Sequence, residues 1–290
     1  MKLRVGFLVV FMLSLVPGIQ QTTLAQQNRG GRGVFAQVDC HYGSGAAGST
    51  FSATIKNQYG LPIVVSYAHG FTSFEALNPQ FGFYEPSKFP EVTIDDGESA
   101  LVEGSWDVFG ADGRDFGMVL IVTTAGVLIP ACGETEYAGL ENEPESLPVT
   151  DQELQYESVA VFVGTYSRLL SWHAYPAMYA LLHPDSQDLV SFWQLTCQLV
   201  SRYGTASNWK NFIASSEVTG VEVIDWTWAG GGIDYPDAVE VSYTSELATL
   251  ESSDSIDSTM HLVQENGAWR WFFGSTPESI AALPDTCDAS

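Results

Sequence analysis

The chain has 290 residues, of which 45% are hydrophobic and 12% aromatic, so it can build packed cores and is not wholly disordered. It carries 35 acidic and 11 basic residues, for a formal net charge of −24. This charge argues against nucleic acid as a partner, because the protein's own field would repel each phosphate. The length fits one large domain or two of ordinary size.

The N-terminus has the order of charge and hydrophobicity of a secretory signal peptide. Two basic residues precede an apolar run at 5–16, and the small residues Thr23 and Ala25 follow at the two positions that a signal peptidase reads. The run of about 12 residues is short of the roughly 20 that a membrane-spanning helix needs. We therefore predict a signal peptide at 1–25, an extracytoplasmic or secreted protein without a membrane span after cleavage, and a flexible leader at 26–33.

The cysteines indicate disulfides in an exported protein. They are Cys40, Cys132, Cys197 and Cys287, and four cysteines allow three pairings. Two precede the acidic stretch 133–153 and two follow it, so we predict the pairs Cys40–Cys132 and Cys197–Cys287. No spacing is the CxxC of a zinc or redox site.

Residues 34–132 have the pattern of an all-β domain. Apolar and polar residues alternate along the first clear strand, and the later segments are rich in β-branched and aromatic residues. The predicted strands lie near 51–56, 62–67, 99–109 and 118–130. Short strands, regular turns and the absence of a helical period predict a β-sandwich, like an immunoglobulin domain in architecture only.

The composition changes from residue 133 onward. Residues 133–153 contain seven acidic residues and two prolines, and we interpret them as an acidic linker between domains. Apolar residues then recur every three or four positions between Val159 and Leu170, which predicts an amphipathic helix. Further helices are predicted at 176–183 and 187–203.

Four strands are predicted after these helices, near 218–228, 237–248, 257–264 and 268–273. Asn266-Gly267 indicates a hairpin between the last two, and a short helix is predicted to begin at Pro277. Three helices on a curved four-stranded antiparallel sheet would form an α+β cone in residues 154–290. The predicted fold is therefore two domains, an all-β sandwich followed by this cone.

The second half of the chain resembles the secreted bacterial nuclear-transport-factor-2-like domains. The resemblance rests on the segments at 179–186 (YALLHPDS), 218–221 (VTGV), 226–228 (WTW) and 267–274 (GAWRWFFG). It covers residues 151–290, and it implies a cystatin-like cone with a cavity. That superfamily includes dehydratases, isomerases and cyclases as well as non-catalytic binding and dimerisation modules, so the resemblance does not select a function.

Candidate acid–base residues lie in the same half. His183 and Asp185 form a His–carboxylate couple suited to proton transfer at neutral pH, although a helix end at Pro184 explains them equally well. Asp225 shares strand parity with Val221 and would act as a base if that face lined the cone. An exposed aspartate is the alternative interpretation.

Aromatic residues form the second group of candidates, as the lining of a pocket for a sugar or a flat apolar ligand. They are Trp172, Tyr175, Tyr179, Trp193, Trp226, Trp228, Trp269 and Trp271. Packing of helices on a sheet would use the same residues. Arg270 alternates with the last two tryptophans, and we expect it in a surface ion pair.

These patterns together predict an exported, non-catalytic binding or interaction protein for an unknown protein partner or small ligand. The ligand would enter the C-terminal cone, and a homodimer through the sheet face is a further option. The alternative is an enzyme, a hydrolase, dehydratase or isomerase, that uses Asp225 or His183. We predict no cofactor and no metal site, with loose calcium binding by acidic clusters as the alternative.

Overall fold

The computed structural model describes residues 33–42, 49–71, 91–106, 117–139, 151–205, 208–209, 212–248 and 252–284. All of them belong to one compact unit, residues 32–290. They form three separate four-stranded antiparallel sheets, one two-stranded ribbon and five helices.

The first eight strands build two of the sheets. In chain order they are β1 (Gly33–His41), β2 (Ser49–Gln58), β3 (Ile63–Phe71), β4 (Val92–Ile94), β5 (Ser99–Trp106), β6 (Met118–Thr123), β7 (Gly126–Leu128) and β8 (Thr135–Gly139). The first sheet has the order β5-β2-β1-β8 and the second β4-β3-β6-β7. Strand β8 lies within the stretch interpreted as a linker and pairs with β1.

The remaining elements follow in the order helices, ribbon, sheet and a last helix. They are α1 (Asp151–Ser171), α2 (Tyr175–Ala180), α3 (Pro184–Leu189), α4 (Phe192–Tyr203), β9 (Gly204–Thr205), β10 (Asn208–Trp209), β11 (Phe212–Trp228), β12 (Ile233–Ala248), β13 (Ser253–Glu265), β14 (Ala268–Trp271) and α5 (Pro277–Ala281). The third sheet has the order β11-β12-β13-β14.

The first two sheets face each other across an apolar core. Alternate residues of β2, such as Phe51, Ala53 and Ile55, point into this core, as the period of two along a strand requires. Val65 and Ile121 contribute from the second sheet. The predicted disulfide Cys40–Cys132 is confirmed, and it joins the end of β1 to the segment after β7.

The second sheet is buried on both of its faces. Five consecutive residues of β6, from Val119 to Thr123, are buried, and such continuous apolar runs are typical of strands covered on both sides. Tyr67, Leu120 and Val122 belong to the same core as the helices. The helical layer therefore packs against the second sheet as well as the third.

The third sheet turns its inner face toward the helices. Val239, Val241 and Leu262 are fully buried there. Trp271 packs edge-on against Tyr166 of α1, with ring centroids 5.1 Å apart. Burial of this face stabilises the sheet at about 25 cal/mol for each Å² of apolar surface removed from water.

The predicted fold class is wrong. It placed three helices on one four-stranded sheet as an α+β cone beside a separate sandwich, whereas the described residues contain five helices and three separate four-stranded sheets. The physical reason is the second apolar face of the middle sheet, which the helices cover together with the third sheet.

The predicted helix at 187–203 is two helices. Val190 is extended between α3 and α4, and Ser191 begins α4 with a capping box. Its hydroxyl accepts a hydrogen bond from the Gln194 N–H, while the Gln194 side chain accepts one from the Ser191 N–H.

Cys197 on α4 is also disulfide-bonded. Its predicted partner, Cys287, lies outside the described residues, so that pairing stays a prediction. In the described part of the chain, no helix combines the length and the apolar character needed to cross a bilayer.

Candidate functional site

The predicted couple of His183 and Asp185 lies where α3 begins, beside the third sheet. The backbone N–H of His183 donates to the Trp271 carbonyl at 2.8 Å, which fixes this segment along β14. His183 Nδ1 accepts a hydrogen bond from the Asp185 N–H at 3.2 Å and so caps α3. The Tyr235 hydroxyl donates a short hydrogen bond to the Asp185 carboxylate. Both side chains therefore connect α3 to the sheet.

The protonation states follow from these surroundings. Burial lowers the pKa of His183, against the opposing charges of Asp185 and Glu265. The neutral ring agrees with Nδ1 acting as an acceptor. Burial also raises the pKa of Tyr235, and the hydrogen bond to Asp185 raises it further, so its hydroxyl keeps the proton that it donates.

Five rings form a continuous cluster on the outer face of the third sheet, which we call the outer-face cluster. Its members are His183, Trp226, Tyr235, His261 and Phe272. Trp226 and His261 stack in parallel, with centroids 4.3 Å apart and planes 3° from each other. Phe272 stacks on His183 at 4.5 Å and meets Trp226 edge-on at 5.0 Å. Four of the rings are partly exposed, and His183 is buried.

The strand register brings these distant residues together. His261 pairs with Glu240, and Trp226 pairs with Tyr235 across the hairpin of β11 and β12. Since the neighbours of His261, Met260 and Leu262, point into the core, His261 must point outward. A register shift between Ile224 and Trp226 sets the position of Trp226.

Carboxylates flank the cluster. Glu240 Oε2 lies 3.1 Å from His261 Nε2, and the Asp185 carboxylate lies 3.6 Å from His183 Nδ1. Both carboxylates are 39% exposed. Among the described residues, neither has an arginine or lysine partner. The site therefore offers aromatic surface and negative charge side by side.

Arg270 is buried, which corrects the expectation of a surface ion pair. Only 7% of its side chain is exposed, and it forms an ion pair with Glu91, which precedes β4. Its Nη1 also donates to the Ala180 carbonyl at 2.9 Å. Burial lowers its pKa to about 10, so the group stays charged at neutral pH.

Several predicted pocket residues are packed in the interior with satisfied polar atoms. The Trp271 indole N–H donates to the Met178 carbonyl, that of Trp269 to Ser158 Oγ, and that of Trp228 to the Gly274 carbonyl. The Tyr175 hydroxyl donates to the Gly204 carbonyl at 2.7 Å. These four residues therefore hold elements together.

The other predicted pocket residues are partly exposed and do not come together in one pocket. The Arg168 guanidinium lies 5.8 Å from the Trp172 ring. Tyr179 and Trp193 both contact Phe192 of α4. Of the predicted aromatic set, Trp226 belongs to the outer-face cluster, and the buried Trp228 contacts the Phe272 ring of that cluster at 5.3 Å.

The described interior has a cavity of about 20 Å³ between α1, the second sheet and β14, lined by Thr123, Thr165 and Trp269 among others. This volume holds about one water molecule. Asp225 is exposed on β11, at the register shift. In the described part of the chain, no group of three or more His, Cys, Asp or Glu side chains is arranged to hold a metal ion.

Three members of the cluster were not identified from the sequence as candidate site residues, namely Tyr235, His261 and Phe272. The alternation around His261 places it on the polar side of its strand, and this signal is visible in the sequence. Its stacking on Trp226 depends on how β11, β12 and β13 pair, and this pairing cannot be derived from the local sequence pattern.

No protein-family model matches the chain, and no curated protein matches it either. The resemblance of residues 151–290 to nuclear-transport-factor-2-like domains therefore stays a prediction.

Proposed function

We propose that this chain is an exported, non-catalytic binding protein whose ligand contacts the outer-face cluster. The observation that carries the proposal is the gathering of partly exposed rings from β11, β12, β13 and the segment after β14, flanked by carboxylates. Aromatic rings with nearby polar groups provide large contact area and fixed hydrogen-bonding partners, the usual composition of a recognition surface.

The hydrogen bonds that already occupy His183 and Asp185 favour a binding function over a catalytic one. A general base needs a free lone pair within hydrogen-bond reach of the substrate proton. Nδ1 of His183 already accepts the Asp185 N–H, and the ring is nearly buried between Phe272 and Tyr235. The Asp185 carboxylate in turn accepts the Tyr235 hydroxyl.

The disulfides support export. Cys40–Cys132 is bonded and so is Cys197, and such bonds persist mainly outside the reducing cytosol. Together with the predicted signal peptide, they favour a mature chain that begins at Gln26. N-terminal sequencing of the exported protein tests this start, and an intact Met1 on the exported chain would contradict it.

The binding function is tested by screening residues 26–290 against arrays of oligosaccharides and peptides. We expect ligands that bind the wild type but not the Trp226→Leu/Phe272→Leu variant. The control is Leu101→Ser, which changes a 60% exposed leucine on the first sheet and should leave binding intact.

A parallel assay tests the enzyme alternative with ester, glycoside and enol-type substrates. We expect no turnover above background. Turnover that His183→Gln or Asp185→Asn removes, while each variant stays folded, would contradict the proposal. So would an array ligand that binds the double variant and the wild type equally.

A further inference from the structure

We infer that the outer-face cluster binds arginine or lysine side chains of a cationic peptide segment on a partner protein. This inference rests on the proposed binding function and adds the chemical class of the ligand. It follows from the charge of the third sheet and from the pairing of rings with carboxylates.

The third sheet is strongly acidic. Residues 212–271 contain 11 Asp and Glu residues, and their one basic residue is Arg270. Arg270 is buried and paired with Glu91, so it does not offset the charge of the exposed surface. Such an imbalance attracts cations over distances of about 8 Å at physiological salt.

Strand alternation places many of these carboxylates on the outer face. Since Val239 and Val241 of β12 and Met260 and Leu262 of β13 point inward, the residues that alternate with them point outward. The outward carboxylates, assigned by this parity and by the register, are Glu217, Glu222, Glu240, Glu246, Asp257 and Glu265. One face thus carries charge of a single sign.

This charge also argues against a second copy of the chain on the same face. A symmetric dimer would place carboxylates opposite carboxylates, and like charges across an interface oppose association. A cationic partner, in contrast, would be attracted by the carboxylates of this face.

The rings add specificity for arginine and lysine. Guanidinium and ammonium groups are attracted to the faces of tryptophan and tyrosine, and guanidinium also forms paired hydrogen bonds to carboxylates. Trp226 and Tyr235 are partly exposed, and Glu240 is 39% exposed beside His261. The cluster therefore provides both kinds of contact on one surface.

The test measures binding of a fluorescein-labelled peptide of alternating glycine and arginine to residues 26–290. The matched probe is the same peptide with citrulline, which keeps the length and planar shape of arginine but carries a carbonyl oxygen in place of one guanidinium nitrogen and so lacks the positive charge. We expect the arginine peptide to bind at least about tenfold more tightly, with affinity that falls as salt is raised. Fluorescence anisotropy gives both dissociation constants.

Variants separate the cluster from general attraction to an acidic protein. Trp226→Leu keeps the charge and should weaken arginine-peptide binding about fivefold. Glu240→Gln should weaken it about threefold, whereas Glu103→Gln, which changes an exposed carboxylate on the first sheet, should leave it unchanged although both remove one charge. Thermal melting confirms that each variant is folded.

Each outcome decides one question. Equal binding of the arginine and citrulline peptides, or equal weakening by Glu240→Gln and Glu103→Gln, would overturn the cationic ligand class. Trp226-dependent binding of neutral maltohexaose in place of the arginine peptide would also overturn it, while the proposed binding function would stand. If no probe or array ligand depends on Trp226 and Phe272, the inference and the proposed function both fail.

Discussion

Histidines in this protein are held neutral by burial in several different elements. His183 caps α3 beside the outer-face cluster, and burial lowers its pKa. Burial has the same effect on His173, which lies just after α1. On β3, burial lowers the pKa of His69 to about 4, the clearest case of the three. At each position folding excludes a proton that the unfolded chain would accept in mild acid.

The lowered pKa of His69 predicts how the free energy of unfolding depends on pH. In the unfolded chain a histidine takes up its proton near pH 6.5, whereas folded His69 stays neutral until about pH 4. Between these values the unfolded state binds more protons, so the free energy of unfolding must fall as the pH falls. We expect His69→Gln to reduce the loss of unfolding free energy between pH 7 and pH 4 by about 3 kcal/mol, measured by urea denaturation at several pH values.

The control for this experiment is His41→Gln, since His41 is exposed on β1. It should leave the free energy of unfolding at pH 7 close to that of the wild type, because an exposed side chain adds little to the packing. If the wild type and His69→Gln lost stability equally as the pH falls, the prediction would be wrong, because His69 would then have the same pKa in the folded and the unfolded protein.

At the scale of elements, short polar motifs decide where helices begin. Ser191 and Gln194 form a capping box that starts α4 after the extended Val190. Thr276 and Ser279 form the same type of box at α5. The two helices differ in burial, because α4 buries Phe192, Leu195 and other residues while α5 has no buried residue.

This difference predicts unequal costs for the same change. Ser191→Ala should lower the free energy of unfolding by about 1 kcal/mol, because the fraying of α4 exposes core side chains. Thr276→Ala should cost only a few tenths of a kcal/mol, because local fraying of α5 exposes no fully buried side chain, although Ile280 packs partly buried against the core. Chemical denaturation measures both, and a larger cost for Thr276→Ala would contradict the assignment of α4 as the core helix.

The edge strand β11 shows a second element-scale device. It is 17 residues long and forms one edge of the third sheet. Long regular edges invite pairing with other chains. Three register shifts interrupt β11, and Glu217, Glu222 and Asp225 are exposed along it. Both features oppose unwanted strand pairing.

At the scale of the whole molecule, one shared core joins the two halves of the chain. The helices pack on the second and the third sheets, and Tyr67 of β3 belongs to the same core as Leu262 of β13. The ion pair of Arg270 with Glu91 adds a buried polar connection between the halves.

This arrangement predicts a single cooperative unfolding transition for residues 26–290. Calorimetry should give equal calorimetric and van't Hoff enthalpies, because neither half can unfold without exposing the shared core. Glu91→Gln should lower the stability by about 3 kcal/mol by leaving Arg270 as an uncompensated buried charge. The melting temperature should fall without a second transition appearing.

The control is the double variant Arg270→Met/Glu91→Leu. Replacing a buried ion pair by apolar residues of similar volume should recover most of the lost stability. Two separate transitions, of which Glu91→Gln shifts only one, would contradict the shared core.

The local elements and one disulfide could be read from the sequence by itself. The alternation at 51–56 predicted β2, the period of three and four between Val159 and Leu170 predicted α1, and Asn266-Gly267 predicted the hairpin of β13 and β14. The pair Cys40–Cys132 followed from the distribution of cysteines along the chain. These features depend on near neighbours in sequence, whose pattern reports the conformation of one segment.

The layering of the molecule and the composition of the candidate site were decided by the tertiary structure. Whether the helices cover one sheet or two depends on which apolar faces meet. The apolar segments of β3 and β6 do not indicate which other elements pack against them. The stack of Trp226 on His261 and the burial of Arg270 depend on the register of strands and on a loop far away in sequence. Local propensity does not determine such pairings, because their free energy comes from long-range burial that exists only once the whole chain has folded.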